Sequence, residues 1–131
     1  MNTLAISADL YTPLLLLGWL YYWCKASRQT RHSRIKNLLL GALLVYGLML
    51  LDNALHIWPS QGLDYSTHSA LALLFVVALS VQNKRLLWIA PLSLCAYFYL
   101  MWRLNYHSVA DMLSTSLLLL PAFIYFHKQG K

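Results

Sequence analysis

Five stretches of this chain, at about 10–24, 37–55, 67–82, 86–102 and 109–126, are apolar almost throughout, and that pattern limits what the chain can fold into. A run of ~17–25 apolar residues matches the hydrocarbon thickness of a bilayer. In hydrocarbon a segment must satisfy its own backbone N–H and C=O groups, which a helix does. The pattern therefore predicts an all-α fold, a single integral membrane domain over 1–131 built as a bundle of five transmembrane helices. Composition enters as support: 60% of the 131 residues are hydrophobic, Asp and Glu together number 4, and none is glutamate. Charge that scarce does not solvate a soluble surface.

The basic residues carry the orientation. A net charge of +6 in a soluble protein would suggest nucleic acid, but here the cations sit in the connections between apolar runs. Lys25, Arg28, Arg31, Arg34 and Lys36 lie between the first and second runs, Lys84 and Arg85 between the third and fourth, and Lys128 and Lys131 in the tail. Cytoplasmic loops of membrane proteins collect Lys and Arg, so these segments are expected inside. The N-terminus, the 56–66 loop and the 103–108 turn are then expected outside. Asp9, Asp52, Asp64 and Asp111 all fall towards that outer side, and Arg103 is the one outer cation. The expected localisation is a cell membrane of the bacterial inner-membrane kind, multi-pass, with the C-terminus cytoplasmic and with membrane lipids, not nucleic acid, as partners.

Other features read as ordinary membrane-protein composition. The first residues, MNTLAISADL, lack the positive stretch of a secretory signal, so no cleavage is expected. Cys24 and Cys95 have no metal-ligand spacing and read as fillers. Trp19, Tyr21, Tyr22 and Trp23 are expected in an inner aromatic belt, and Trp58, Tyr65, Trp102 and Tyr106 in an outer one. Trp102 and Tyr106 are placed to border a lipid tail. Met49, Met101 and Met112 read as packing residues.

Three outer segments concentrate polar chemistry: Asp52 with His56, then Asp64 to Ser69, then Arg103 to Asp111. Asp52 and His56 are spaced i,i+4, and Arg103, His107 and Asp111 i,i+4,i+8, so inside one helix each set would line one stripe. If the last helix begins nearer 107, only His107 and Asp111 keep that relation. An unpaired carboxylate one turn into an apolar run is costly. His107 is the expected partner of Asp111: a carboxylate accepting from one ring nitrogen leaves the other available as nucleophile, base or ligand. A structural Asp–His pair joining helices is the plainer alternative. Ser66, Thr67, His68 and Ser69 open the third run, where hydroxyls and free N–H groups favour an anion, with Asp64 or Ser66 expected as the N-cap.

Ser66-Thr67-His68-Ser69 and the run from Arg103 through His107 to Asp111 resemble motifs two and three of the type 2 phosphatidic acid phosphatase superfamily, written PSGHS and SRxxxxxHxxxD. The resemblance covers roughly 50–120 and is best from His107 to Leu113. It implies that His107 attacks phosphorus to form a phosphohistidine, that Asp111 orients it, and that His68 protonates the leaving oxygen. Ser66, Thr67 and Arg103 would hold the phosphate oxygens. Motif one, KxxxxxxRP, keeps only Pro59, with Leu51 and Trp58 in place of its Lys and Arg. Arg103 stands four residues before His107 instead of six, and Thr67 replaces a glycine. The chain thus resembles a small, degenerate member.

Thr67-His68-Ser69 with His107, Asp111 and Leu113 is also similar to strings in small inner-membrane metal-dependent hydrolases. That resemblance implies a nitrogen and oxygen site of Asp52, His56, His68, His107 and Asp111 suited to zinc or manganese. Three functional expectations follow. The first is a membrane-embedded phosphatase or phosphotransferase acting, without a cofactor, on a lipid phosphate or prenyl pyrophosphate at the outer face. The second is a metal-dependent membrane hydrolase using the same cluster, and the third a non-catalytic helical subunit. Whether a homo-oligomer is required stays open.

Overall fold

The computed structural model describes residues 3–63, 65–82, 84–104 and 108–129, and all regular structure among them is helical. Five α-helices follow one another: α1 Thr3–Lys25, α2 Arg28–Leu55, α3 Thr67–Ser80, α4 Lys84–Arg103 and α5 Val109–Gln129. A short 3-10 helix, Pro59–Gln61, lies in the α2–α3 connection. Three of the five, α2, α4 and the Val109–His127 part of α5, are long and apolar enough to cross a membrane. At 14 residues α3 is apolar but shorter, about 21 Å at ~1.5 Å per residue.

The arrangement explains why a short helix suffices. α3 packs against each of the other four, while α4, α1, α2 and α5 touch one another in that order and close a ring around it. Nine of its residues are buried, including Ser69, Ala70, Ala72, Leu74 and Ala78. A helix that is apolar all round belongs in an interior, and small side chains let neighbouring backbones come close. None of the exposed large hydrophobic residues is on α3. They stand on the surrounding helices and the α2–α3 loop, with Leu43 of α2, and Trp88 and Leu92 of α4, the most open. α2 makes its own allowance for closeness at Gly41, where an added Cβ would collide with the Leu74 side chain of α3. On the other side of the ring Tyr11 of α1 hydrogen-bonds Ser93 of α4 at 2.8 Å and stacks on Tyr97.

The helix boundaries differ from expectation most at α2. The basic segment 25–36, expected as a connection, is mostly helix: α2 begins at Arg28, because Ser27 in extended conformation accepts the Thr30 N–H. Ser is a favoured N-cap, and nothing after it breaks the helix. Two tryptophans also depart from the expected belts. Trp19 and Trp58 are almost wholly buried, the first against Trp23, the second under the α2–α3 loop.

Candidate functional site

The end of the bundle where α3 and α5 begin gathers most of the polar residues singled out in the sequence. Asp52 lies in the last turn of α2, buried, and its Oδ1 accepts the Trp58 N–H at 2.7 Å. A carboxylate accepting a buried backbone N–H is among the stronger hydrogen bonds, and it pins the α2–α3 loop to the helix it leaves. The loop then folds inward. Trp58 Nε1 donates to Ser114 Oγ of α5 at 3.0 Å, and its ring meets the Tyr65 ring edge-on. The Tyr65 hydroxyl donates to the Val45 carbonyl of α2 at 2.8 Å. Burial, reinforced by the nearby Asp52 carboxylate, pushes the Tyr65 phenol pKa well above its usual value.

Ser66 is the N-cap of α3. Its Oγ accepts the Ser69 N–H and donates to Ser69 Oγ, while its own N–H donates to Thr115 Oγ1 of α5. It is fully buried. Thr67 is half-buried and His68 exposed. At the start of α5, Asp111 is buried and its Oδ2 accepts the Ser108 N–H at 3.0 Å. The Asp111 N–H returns to Ser108 Oγ at 3.1 Å. This reciprocal pair is a capping box with aspartate in the third position. Ser114 Oγ in turn reaches the Asp111 carbonyl at 3.1 Å.

The helical stripe expected from Arg103 to Asp111 does not form. α4 ends at Arg103 and α5 starts at Val109, so Arg103 and Asp111 belong to different helices; Arg103 is exposed. Asp52 and His56 share no helical stripe either. His56 terminates α2 in the left-handed region, φ 54°, with its N–H on the Asp52 carbonyl and its side chain exposed, while the Asp52 carboxylate turns inward. The structure therefore brings Ser66 and Thr115 together and ties Asp52 to Trp58, while leaving His68, His56 and Arg103 on the surface. His107, Asp64 and Tyr106 lie outside the described residues. Among those described, no three His, Cys, Asp or Glu residues are grouped as metal ligands.

Ser114 and Thr115 are not singled out by the sequence, and Trp58 appears there only as a belt residue and a motif-one mismatch. The pairings of Trp58 with Ser114 and of Ser66 with Thr115 span 56 and 49 residues, so no local spacing announces them. The one hint was Asp52, a carboxylate in an apolar run that had to be satisfied by something.

An apolar crevice lies near this end. Between α4 and α5 a cavity of about 240 Å³ is lined by Phe98, Tyr99, Trp102, Val109, Met112 and Leu113. Cys95 links it to a larger one, about 660 Å³, bordered by Leu73, Val77, Pro91, Leu94 and Leu120 towards the other end. Comparison with protein families, with curated proteins and with solved structures finds no match for this chain.

Proposed function

We propose that this chain is a five-span membrane phosphatase or phosphotransferase that acts on a lipid phosphate or prenyl pyrophosphate at the end where α3 and α5 begin, the outer face in our assignment. The observation that carries the reading is the crevice between α4 and α5, whose lining includes Trp102 and Val109. Trp102 is the neighbour of Arg103, and Val109 lies just ahead of Asp111. A lipid tail in that crevice would present its phosphate beside Arg103, Asp111 and the start of α3. In this reading His107 is the nucleophile, Asp111 orients it and His68 protonates the leaving oxygen. With Ser66 engaged in capping, the phosphate is held by Arg103, Thr67 and the first N–H groups of α3, which have no partner within their own helix.

A second reading has its own observation. Asp52, Ser66 and Asp111 each make hydrogen bonds that close the bundle end, as they would in a helical subunit without catalysis. One assay separates the readings. Purified protein is given lipid phosphates and prenyl pyrophosphates, with and without chelator, beside His107→Ala. Phosphate release that vanadate blocks, chelator spares and His107→Ala abolishes supports the phosphohistidine route, and label should remain on His107. Activity lost to chelator and restored by zinc or manganese moves the cluster Asp52, His56, His68, His107 and Asp111 to the metal-hydrolase reading. No release, or release unchanged in His107→Ala, ends the first reading.

A further inference from the structure

The opposite end of the bundle holds a second polar cavity that the proposed lipid chemistry does not use. It measures about 250 Å³ and is lined by Trp19, Thr30, Arg34, Asn37, Gln82 and His127, which come from α1, α2, the turn after α3 and α5. Asn37 and His127 are both more than nine-tenths buried. His127, which the sequence places in a cytoplasmic tail, instead forms part of this wall. Its Nδ1 lies 2.9 Å from the Phe123 carbonyl, while Nε2 is buried and has no hydrogen-bond partner among the described residues.

The proton inventory narrows the occupant. A carbonyl oxygen only accepts, so Nδ1 carries the proton, and Nε2 of the neutral ring is left as an acceptor. Arg34 is a permanent donor and the only charged residue in the lining among the described residues. Thr30 Oγ1 accepts from Ser27 Oγ at 2.8 Å, which leaves its own hydroxyl proton to give. Gln82 gives one of its two amide N–H groups to the Ala78 carbonyl and keeps its oxygen as an acceptor. The cavity thus suits a group that is anionic and accepts from Arg34 and Thr30, and one that reached the buried Nε2 would have to give it a proton. A carboxylate or a sulfate at neutral pH has no proton to share. A phosphomonoester, whose second ionisation falls near pH 6, has both: its monoanion gives a proton to Nε2 while its other oxygens accept from Arg34 and Thr30.

We infer that this cavity is a phosphomonoester-binding site, separate from the proposed catalytic end and built on Arg34 and His127. The phosphate comes either from a lipid headgroup of the phosphatidic acid kind or from a free phosphate.

The test uses the full chain labelled with ¹⁵N-histidine, and the resonance of His127 is assigned by its loss in His127→Gln. Inorganic phosphate and sulfate are titrated in micelles. In parallel the protein is placed in phosphatidylcholine nanodiscs with and without phosphatidic acid. Expected is a saturable shift of the His127 Nε2 signal with phosphate, with phosphatidic acid, or with both, which also names the source. Sulfate should bind at least about tenfold more weakly, and Arg34→Gln, at a half-buried position that should not disturb folding, should weaken phosphate by about tenfold or more. His68→Gln, at the other end, should leave the shift unchanged, which separates this site from the catalytic reading. No shift in any arm, equal response to sulfate, or full binding in Arg34→Gln overturns the inference.

Discussion

Where α3 and α5 begin, Asp52, Trp58, Ser66, Ser114 and Thr115 hand their hydrogen bonds to one another. At the other end His127 keeps a buried Nε2 with no partner among the described residues. Both ends place polar atoms out of reach of water; the first pairs nearly all of them within the protein, with Ser116 Oγ as its exception, while the second leaves an imidazole nitrogen beside a polar cavity. A satisfied buried network fixes geometry, because every member left alone would cost a desolvation penalty. An unsatisfied atom in a cavity costs stability until something fills it, so it is better evidence of a ligand than a completed network. The residues that looked most chemical in the sequence include several that hold the bundle end shut. The end read only as an orientation signal contains a buried imidazole nitrogen with no partner among the described residues.

If that contrast is right, substitutions at the closed end should destabilise through the groups they orphan. The largest effect is expected for Asp52→Ala, which leaves the buried Trp58 N–H without its carboxylate and releases the loop. A hydrogen bond to a charged group is worth roughly 1.5–3 kcal/mol, so the thermal midpoint in detergent should fall by the equivalent of about 2–3 kcal/mol. A midpoint equal to that of the unaltered protein would break the comparison at its firmer side. Next, Thr115→Val keeps shape but removes the acceptor of the Ser66 N–H, and should cost about 1–2 kcal/mol. The two positions lie in different branches of the network, so a double variant measures their coupling, and simple additivity would mean that the branches act separately.

Tyr65 sharpens the same side by pH. Its folded phenol pKa is raised, by burial first and by Asp52 second, so the fold prefers the protonated form. The resulting stability is whole below the unfolded phenol's value of about 10, and is lost as pH climbs from there towards the raised folded value. Unfolding followed between neutral pH and pH above that value should show this alkaline loss, and Tyr65→Phe should flatten it. The same slope in the variant would assign the loss to other groups.

Legibility in the sequence followed the range of the interactions. Apolar runs report a solvent, so five helices could be read from them, and the starts of α3 and α5 fall at Thr67 and Val109 as expected. Ser66 as a cap was legible because capping is local. The helical nature of 28–36 was not, since polar residues at a helix start resemble a polar loop until Ser27 is recognised as the cap. Nor was the central place of α3, which depends on four partners, although its uniformly apolar and small-residue composition carried the clue. At the candidate site, the chain positions of Asp52, Ser66 and Asp111 were visible while the network was not, because only the folded bundle brings Thr115 to Ser66 and Ser114 to the Trp58 indole that draws the loop inward.

The smallest stability effect belongs to the open end, and its sign is the informative part. His127→Leu removes an imidazole whose Nδ1 bonds the Phe123 carbonyl but whose Nε2 has no partner among the described residues. The lost hydrogen bond costs about 1 kcal/mol, while removing a buried unsatisfied nitrogen returns about 1–3 kcal/mol. The two nearly cancel, with the balance towards stabilisation. In phosphate-free detergent His127→Leu should therefore melt at or slightly above the unaltered protein, the reverse of Asp52→Ala. Added phosphate should then raise the midpoint of the unaltered protein and leave that of His127→Leu where it was, since a ligand stabilises only the fold that binds it. A clear loss of stability in His127→Leu without phosphate would mean that His127 Nε2 is already satisfied, and the two ends of the bundle would then be alike.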